Sequence, residues 1–298
     1  MTLDLNHLES LLVVAESGSI ARAAGRLNKV RSAVSYDIRC LESHLGLSLL
    51  NRDGYRAQLT VVGERVRREG ELLLRQARAL EHMADLIRED WEPVVKMVVE
   101  GAIPSSPVMR AIRELSTREV PTLIELQTDF LGGVLERFER DDADLMLVKD
   151  FDAPMGDYIV HQLPDIHCVL VAAGDHPLFE GQPESVQRHE LRECLELNIQ
   201  VSSEGVSHIS DKRIGLPRVL NLDGFYAKKE ALQMGLGLGW MPRSLIEPEL
   251  ASGTLALVPL DEGSSFQFTP SLMYRKDRPL GRAGRLFRDL ILLEFDPK

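Results

Sequence analysis

The 298-residue sequence has few cysteines, few aromatic residues and no long hydrophobic run. Its three cysteines, Cys40, Cys168 and Cys194, are far apart and not spaced as metal ligands, which argues against a disulfide framework and indicates a reduced cytoplasmic protein. No stretch approaches the roughly 18 apolar residues of a membrane-spanning helix, so we expect no membrane partner. The N-terminus lacks the basic start and apolar core of a signal peptide. Apolar residues make up 44% and charged residues 27%, which excludes a disordered or fibrous chain.

Positive charge is scarce and unevenly placed. Residues 1–90 contain 13 Lys and Arg against 13 Asp and Glu, whereas residues 91–298 contain 22 against 33 and carry the whole net charge of −11. This asymmetry predicts two parts with different partners. If the chain binds nucleic acid, it does so through one local face, because phosphate repels the acidic remainder.

Three apolar stripes with helical spacing occupy the start of the chain. Gly18 and Gly46 can adopt the left-handed conformation that ends a helix, and Ser19 is suited to cap the second helix. The expected buried stripes are Leu8, Leu11, Leu12 and Ala15; Ile20, Ala23, Ala24 and Leu27; and Val34, Ile38, Leu41 and Leu45.

The other face of the third helix is polar. A short turn at Asn28 and Lys29 joins it to the second helix, which is the arrangement of a helix-turn-helix. Such a face offers donors and acceptors to base edges in the major groove and cations to phosphates. From periodicity alone, the solvated face of a small helical bundle is an equal alternative. The residues on this face are Arg31, Ser32, Ser35, Tyr36 and Arg39.

A β-hairpin predicted after the third helix favours the DNA-binding interpretation. Residues 51–54 have turn chemistry, and residues 55–59 alternate as a strand. The hairpin forms a wing, which brings Arg52 and Arg56 within reach of the DNA backbone or minor groove.

A long helix is predicted over residues 61–89, capped by Thr60 and ended by Pro93. Its apolar residues follow a heptad pattern typical of helix pairing, so we expect a second copy of the chain to cover them. The alternative is packing on the C-terminal part of the same chain. The predicted dimerisation residues are Val66, Leu73, Ala77, Leu80, Ala84 and Ile87, with Gly70 in the same row.

The order and spacing of these residues resemble the DNA-binding domain of LysR-type transcriptional regulators. The matching positions are Val13–Ser19, Ala21–Ala24, Ser32–Ser35, Ile38, Leu41, Glu42, Leu45, Gly46, Arg52, Leu59, Thr60 and Gly63. The resemblance implies a winged helix-turn-helix that binds double-stranded promoter DNA. The DNA-binding set that it implies is Ser19, Arg22, Arg31, Ser32, Ser35, Tyr36, Arg39, Arg52 and Arg56.

Three positions depart from the pattern of that family, which commonly has Gln, Arg and Gln where this chain has Arg31, Tyr36 and Asp37. An anion beside phosphates is unfavourable, so Asp37 is predicted to pair with a basic neighbour instead of contacting DNA. The sequence preference of relatives therefore does not transfer to this chain.

Strands and helices alternate from Val94 onward, which predicts an α/β fold. The pattern favours two lobes, with the chain crossing near 161–166 and returning near 261–270. A ligand would bind between the lobes, at the C-terminal ends of the strands. We also expect one strand over Phe266–Tyr274, a helix from Pro242 onward, and both Phe225 and Met234 in the core.

This part resembles the effector-binding domain of the same family, itself similar to periplasmic solute-binding proteins. The matching segments are Leu145–Leu147, His176–Leu178 and Gly235–Arg243. The resemblance implies a type 2 periplasmic-binding-protein-like fold, a homodimer or homotetramer, a small-molecule effector and contact with RNA polymerase.

Polar side chains next to strand ends are the candidate effector contacts. Hydroxyl groups there lie beside helix N-termini, whose free amides favour an anion, and Lys149 can pair with a carboxylate. A plain helix cap, or for Lys149 a surface salt bridge, is the alternative in each case. We expect a small anion, and a carboxylate in particular. The candidates are Ser105, Ser106, Thr128, Lys149, Ser202 and Ser203.

No motif in the sequence indicates catalysis or a cofactor. The glycines of Gly235–Gly239 precede a predicted strand, whereas a dinucleotide fingerprint follows one, so they are interpreted as a helix stop and a turn. We find no Gly-x-Ser-x-Gly elbow, no His-Glu-x-x-His pair and no P-loop. We therefore expect no metal, no cofactor and no enzymatic activity.

The sequence thus predicts an α/β protein overall, in three parts. These are a winged helix-turn-helix over 1–60, a linker and dimerisation helix over 61–90, and an effector-binding domain over 91–298. Within the last part, lobe I covers about 91–162 and 268–298, and lobe II about 163–267. A LysR-type transcriptional regulator is the favoured function. A solute-binding receptor without DNA binding and an α/β enzyme are the alternatives.

Overall fold

The computed structural model describes residues 3–51, 57–130, 132–149, 155–181, 183–200 and 212–296. Arg52 and Arg56 of the predicted wing, and Ser202 and Ser203 of the predicted effector contacts, lie outside the described residues. The chain forms two compact units, Met1–Arg88 and Glu89–Lys298.

The first unit is helical and contains one small hairpin. Its elements are α1 (Leu5–Ser17), α2 (Ile20–Arg26), α3 (Arg31–Leu45), β1 (Leu50–Asn51), β2 (Gln58–Leu59) and α4 (Val61–Arg88). Helix α1 ends at Gly18 and α3 at Gly46, with φ of 62° and 67°. In this left-handed conformation the glycine amide donates to the carbonyl four residues back, as the sequence predicted for both helix ends.

The core of the first unit is formed by the inner faces of α1, α2 and α3. Leu11, Val14 and Val34 are fully buried there. The prediction that Leu45 is buried is wrong, because its side chain is 36% exposed. The chain turns at Gly46 directly after it, and Leu49, which is fully buried, fills the core in its place.

The second unit contains two mixed β-sheets covered by helices. Its strands are β3 (Val94–Glu100), β4 (Leu123–Asp129), β5 (Leu145–Val148), β6 (Tyr158–Gln162), β7 (Ile166–Ala173), β8 (Leu195–Ile199), β9 (Arg218–Leu222), β10 (Leu238–Pro242), β11 (Leu255–Leu257), β12 (Ser265–Phe268) and β13 (Ser271–Arg275). Its helices are α5 (Ser106–Thr117), α6 (Gly133–Arg140), α7 (Phe225–Gln233), α8 (Glu247–Ser252) and α9 (Arg282–Phe295), with 3₁₀ turns at Met155–Asp157, Pro177–Phe179, Arg188–Leu191 and Arg243–Leu245.

The first sheet has the strand order β4-β3-β5-β13-β6, and β3 runs parallel to β4 and β5. Met97 packs on one face of this sheet with Leu115 of α5 and Phe287 of α9. Val98 packs on the other face with Phe138 of α6. Burial on both faces explains why β3 is an almost continuous apolar run in the sequence.

The second sheet has the order β11-β7-β10-β8-β9, and β12 also pairs with β7. The chain passes from β6 in the first sheet to β7 in the second, and returns between β12 and β13. The two crossings are bonded to each other, since Leu163 donates to the carbonyl of Pro270 at 2.9 Å and Thr269 donates to Asp165 at 2.6 Å.

Two predictions for the second unit are wrong, one of a strand and one of a helix. The single strand expected over Phe266–Tyr274 is two strands in different sheets, because Pro270 lacks an N–H and lies in the crossing between them. The helix expected from Pro242 onward begins farther along the chain. Pro242 ends β10, a 3₁₀ turn follows, and α8 begins at Glu247.

Candidate DNA-binding surface and ligand cleft

Helix α3 presents polar side chains to solvent on one side and apolar side chains to the core on the other. Its inner residues Val34, Ile38 and Leu41 are at most 3% exposed. Of the five predicted DNA-contacting residues on its outer side, Ser35 is half-buried and the other four are exposed. We call this set the α3 polar face: Arg31, Ser32, Ser35, Tyr36 and Arg39.

Two side chains of the α3 polar face are oriented by contacts on their own helix. The Nε of Arg39 donates to the carbonyl of Ser35 at 3.3 Å. The phenol of Tyr36 forms a hydrogen bond with the Cys40 thiol, which raises the pKa of Tyr36 above its ordinary value. The remaining N–H groups of Arg39 can therefore donate to phosphates or base edges.

Asp37 points away from the α3 polar face and is buried under it. Its carboxylate accepts hydrogen bonds from the Ser10 hydroxyl at 2.6 Å and from the Lys29 ammonium at 2.9 Å. The prediction that Asp37 pairs with a basic neighbour is thereby confirmed. Burial acts to raise the pKa of Asp37, but the hydrogen bonds from Ser10 and Lys29 outweigh it, and the pKa is lowered overall.

The other predicted DNA-binding residues of this unit flank α2 and the hairpin. Arg22 is exposed on α2. Ser19 occupies the N-cap position of α2, but its hydroxyl makes no capping hydrogen bond to a described residue. Thr60 does cap α4, as predicted, because its hydroxyl accepts from the Gly63 amide at 2.9 Å.

The heptad row of α4, which we call the α4 seam, runs from Val66 through Gly70, Leu73, Ala77, Leu80 and Ala84 to Ile87. Its first part packs on the chain's own α1, because Gly70 has no side chain and Leu8 occupies the space. We expected a partner chain to cover the whole row, so this start of the row corrects that expectation. Farther along, Leu73, Leu80 and Ile87 are 38%, 64% and 60% exposed.

A small cavity lies in the second unit between the two sheets, and we call it the cleft. It measures about 30 Å³, enough for one or two water molecules. Three charged side chains line it: Glu100 at the end of β3, Lys149 just after β5, and Lys228 within α7. They are 2%, 8% and 3% exposed, so the cleft holds ionisable groups in a nearly dry environment.

Aromatic rings form much of the remaining wall of the cleft. The Lys149 ammonium lies 5.1 Å from the centre of the Phe268 ring, and the Lys228 ammonium lies 5.7 Å from that of Phe225. These are cation–π distances. The aromatic wall residues are Phe130, Phe225, Trp240, Phe266 and Phe268.

The structure brings Lys149 to the cleft but not the three predicted hydroxyl groups that it describes. Ser105, Ser106 and Thr128 are exposed and do not line the cavity. Ala102 in the turn after β3 lines the cavity, whereas the two serines follow at the start of α5. Along β4, the side chain of Asp129 is buried, whereas that of the preceding Thr128 is exposed.

Two apolar predictions are corrected in this region, and one charged residue was missed. Phe225 lines the cleft instead of lying wholly in the core, and Met234 is 74% exposed beyond the end of α7. Lys228 was missed because it is followed by Lys229 and Glu230, and consecutive charged residues in a helix indicate a solvent-exposed face. The predicted helix stop at Gly235 is confirmed by its φ of 72°.

Within the described part of the chain, no group of three or more His, Cys, Asp or Glu side chains is arranged to hold a metal ion. Among the same residues, no helix has the length and apolar character needed to cross a membrane.

Comparison with family models identifies both units. The model "Bacterial regulatory helix-turn-helix protein, lysR family" matches residues 5–64, and "LysR substrate binding domain" matches residues 88–296. The matches therefore cover the α3 polar face and the cleft.

Curated relatives have similar length and are regulators. The chain is 29% identical to the Probable HTH-type transcriptional regulator YhaJ of Escherichia coli over 92% of this chain and 91% of that protein. It is 26% identical to the SDS degradation transcriptional activation protein of a Pseudomonas species, over 98% and 96% of the two chains.

Solved structures share the fold along nearly the whole chain. An OxyR mutant of Corynebacterium glutamicum matches with a TM-score of 0.64 and 19% identity over 99% of this chain and 92% of that one. Vibrio fischeri DarR, solved in complex with DNA, matches with a TM-score of 0.51 and 20% identity over 98% and 99%. The chain therefore belongs to the LysR family of transcriptional regulators, whose matched members are regulators and not enzymes.

Proposed function

We propose that the chain reads promoter DNA through the α3 polar face, helped by Ser19, Arg22 and the wing residues Arg52 and Arg56. The observation that carries this proposal is the chemistry of the outer side of α3. Arg31 and Arg39 are exposed there, while the one carboxylate of the first turns, Asp37, is buried against Lys29. A chain of net charge −11 thus offers phosphates a local face without an exposed anion on those turns.

Two copies joined along the exposed part of the α4 seam would present two α3 helices to DNA. Recognition helices of such dimers enter successive major grooves about 34 Å apart. The exposed leucines and Ile87 support this assembly, since burying each apolar side chain gives roughly 1.5–3 kcal/mol. A tetramer would be built from two such dimers.

The cleft is the proposed effector site. Lys149 and Lys228 place two ammonium groups beside the single carboxylate of Glu100 in a nearly dry cavity, where an anionic group of a ligand is attracted more strongly than in water. A carboxylate metabolite is the ligand class that this chemistry favours. Ser105, Ser106 and Thr128, with Ser202 and Ser203, remain proposed contacts for a cleft with the lobes in another arrangement.

The effector would act on DNA binding through the angle between the lobes. The cavity of about 30 Å³ is smaller than a metabolite, so a ligand enters only when side chains or lobes move. A ligand can shift such an equilibrium only by its difference in affinity for the two arrangements.

The proposed domain assignment places the winged helix-turn-helix at 1–60, the linker helix at 61–90 and the effector-binding domain at 91–298. In the last, lobe I is about 91–162 and 268–298, and lobe II about 163–267. A cytoplasmic location and contact with RNA polymerase follow from this function and belong to the same proposal.

A mobility-shift experiment with DNA from upstream of the chain's own gene tests the function. We expect a specific complex whose affinity changes when a fraction of small cell metabolites is added. In Lys149→Ala that response should be lost while binding to DNA alone persists. The control is Lys276→Ala, which removes a surface lysine that donates to the Gly156 carbonyl. An unchanged response in Lys149→Ala would contradict the role of Lys149.

A further inference from the structure

Aromatic residues are rare in this chain but concentrated at the cleft. The sequence contains nine Phe and two Trp, and four of those Phe and one Trp line this one cavity. Trp240 meets Phe266 edge-on, with ring centroids 5.2 Å apart. Phe130, which follows β4 of the first sheet, meets Phe225 at the start of α7, with centroids 6.2 Å apart. The rings therefore come from both lobes and already contact one another across the cleft.

The aromatic wall also contains a buried donor that lacks a partner. Trp240 is 6% exposed, and its Nε1 makes no hydrogen bond to any described residue. The Nδ2 of Asn198 on β8 is also buried and makes no hydrogen bond to any described residue. Strands β10 and β8 run parallel, with Leu238 opposite Glu196. Trp240 and Asn198 each lie two residues farther along their strand, so their side chains point to the same face of the sheet. Buried donors are rarely left unpaired in native proteins, so the Nε1 of Trp240, which lines the cleft, indicates a ligand that accepts hydrogen bonds.

A third cation covers the same rings. The Lys212 ammonium lies 4.6 Å from the centre of the Trp240 ring and 5.3 Å from that of Phe266. The backbone shortly after Lys212 is fixed, because the buried carboxylate of Glu196 accepts from the amides of residues 214, 215 and 216 at 2.7–2.9 Å. Lys212 therefore extends from an anchored segment over the aromatic wall.

We propose that the cleft binds an aromatic compound with an anionic group, such as an aromatic carboxylate. The ring lies among the five aromatic side chains, replacing the contact between Phe130 and Phe225. The anionic group accepts from Trp240 Nε1 and pairs with Lys212, while Lys149 and Lys228, which line the same cleft, add to the attraction of that group. This proposal rests on the proposed function of the cleft as the effector site, and it specifies the ligand class.

The chain offers a built-in reporter for the test. It has two tryptophans, and Trp91 lies outside the cleft, where the Arg282 guanidinium stacks on it at 3.9 Å. In full-length Trp91→Phe, all tryptophan fluorescence comes from Trp240. The matched variant Trp240→Phe retains Trp91 and is expected to give no ligand-dependent change.

The probes are benzoate and salicylate, with cyclohexanecarboxylate lacking aromaticity, benzamide lacking charge, and succinate lacking a ring. We expect both aromatic acids to quench Trp240 and to bind at least about tenfold more tightly than the other three. If cyclohexanecarboxylate binds as tightly as benzoate, the aromatic assignment is wrong. If neither aromatic acid binds below about 10 mM, the proposal is overturned.

Two neighbouring substitutions test the Lys212 contact. Lys212→Ala should weaken benzoate binding about tenfold, whereas Arg213→Ala, which removes the same charge from the next residue, should leave it unchanged. An equal loss of benzoate affinity in both variants would indicate long-range electrostatic attraction and contradict a direct contact with Lys212.

Failure of this inference is separable from failure of the proposed function. Succinate that binds and alters the mobility shift, while both aromatic acids fail, overturns the ligand class and leaves the effector site in place. A protein that binds no promoter DNA overturns the proposed function whatever the fluorescence shows.

Discussion

The ammonium nitrogen of Lys29, in the turn before α3, lies 2.9 Å from a carboxylate oxygen of Asp37, two turns along that helix. The Asp37 side chain is 12% exposed and also accepts from Ser10 of α1. One carboxylate therefore joins α1, the turn and α3. It holds α3 in place against α1, and it keeps its negative charge away from the α3 polar face, which is the surface proposed to bind DNA.

Removing this charge should loosen the helix-turn-helix. Asp37→Asn keeps the shape of the side chain but leaves Lys29 without its anion and weakens the hydrogen bond from Ser10. We therefore expect the free energy of unfolding of this unit to fall by about 1–3 kcal/mol. Hydrogen exchange of peptides covering α1 and α3, measured by mass spectrometry on the full chain, reports this loss locally.

The control is Glu16→Gln, which breaks the ion pair with Arg26 at 2.8 Å, where both side chains are more than half exposed. A change below about 1 kcal/mol is expected there. If Asp37→Asn and Glu16→Gln have equal effects, the buried pair does not hold the unit together.

Asp37 also sets a pH dependence with a definite sign. Its pKa in the folded chain is lowered, so the folded state binds a proton less readily than the unfolded state. The stability that it contributes is present above the unfolded pKa of about 3.9 and is lost as the pH falls through the lower folded pKa. Protection of α1 and α3 should therefore drop below about pH 4, and this drop should be smaller in Asp37→Asn.

The anchor at Glu196 gives a prediction for the second unit. The carboxylate is 1% exposed and accepts from three consecutive backbone amides. Glu196→Gln replaces one acceptor oxygen by an NH₂ group that faces a backbone N–H, and should cost about 1–3 kcal/mol. Glu193→Gln, an exposed position on the same segment, should be neutral in thermal unfolding followed by circular dichroism. Equal melting temperatures for both variants would contradict the anchor.

Much of the first unit could be predicted from the sequence because its signals are local. The helix stops at Gly18 and Gly46 require a left-handed backbone, and the stripe spacing of α1 and α3 needs no distant partner. Leu45 fits the stripe but is exposed, because which residue fills the end of the core depends on where the chain goes after Gly46.

The cleft was harder to predict because its residues are far apart in the sequence. Lys149 was found because it directly follows a buried strand, where ligands are expected. Lys228 looks like a solvated helix residue, and Trp240 looks like part of a core strand. The burial of Trp240 beside a cavity follows from the pairing of β10 with β7 and β8, and the side chain of Lys228 packs against Gly239 of the same strand. No local pattern shows either arrangement.

The exposed part of the α4 seam predicts self-association. Leu80→Glu together with Leu73→Glu places charges where a partner helix would pack and should lower the mass in sedimentation equilibrium. Leu72→Glu is the matched control, since Leu72 is 49% exposed on the same helix but outside the seam. An unchanged mass in the double variant would show that the seam is not the main interface.

The most direct test of the account compares binding to duplex DNA from upstream of the chain's own gene with binding to a random duplex of equal length. The account predicts that the wild-type chain prefers the upstream duplex, and that Arg31→Ala loses about 1–3 kcal/mol on it with little change on the random one. Arg118→Ala, which removes an exposed arginine of the second unit that pairs with Glu114, should bind like the wild type. Equal affinity of the wild type for both duplexes, or no binding to either at low ionic strength, would contradict it.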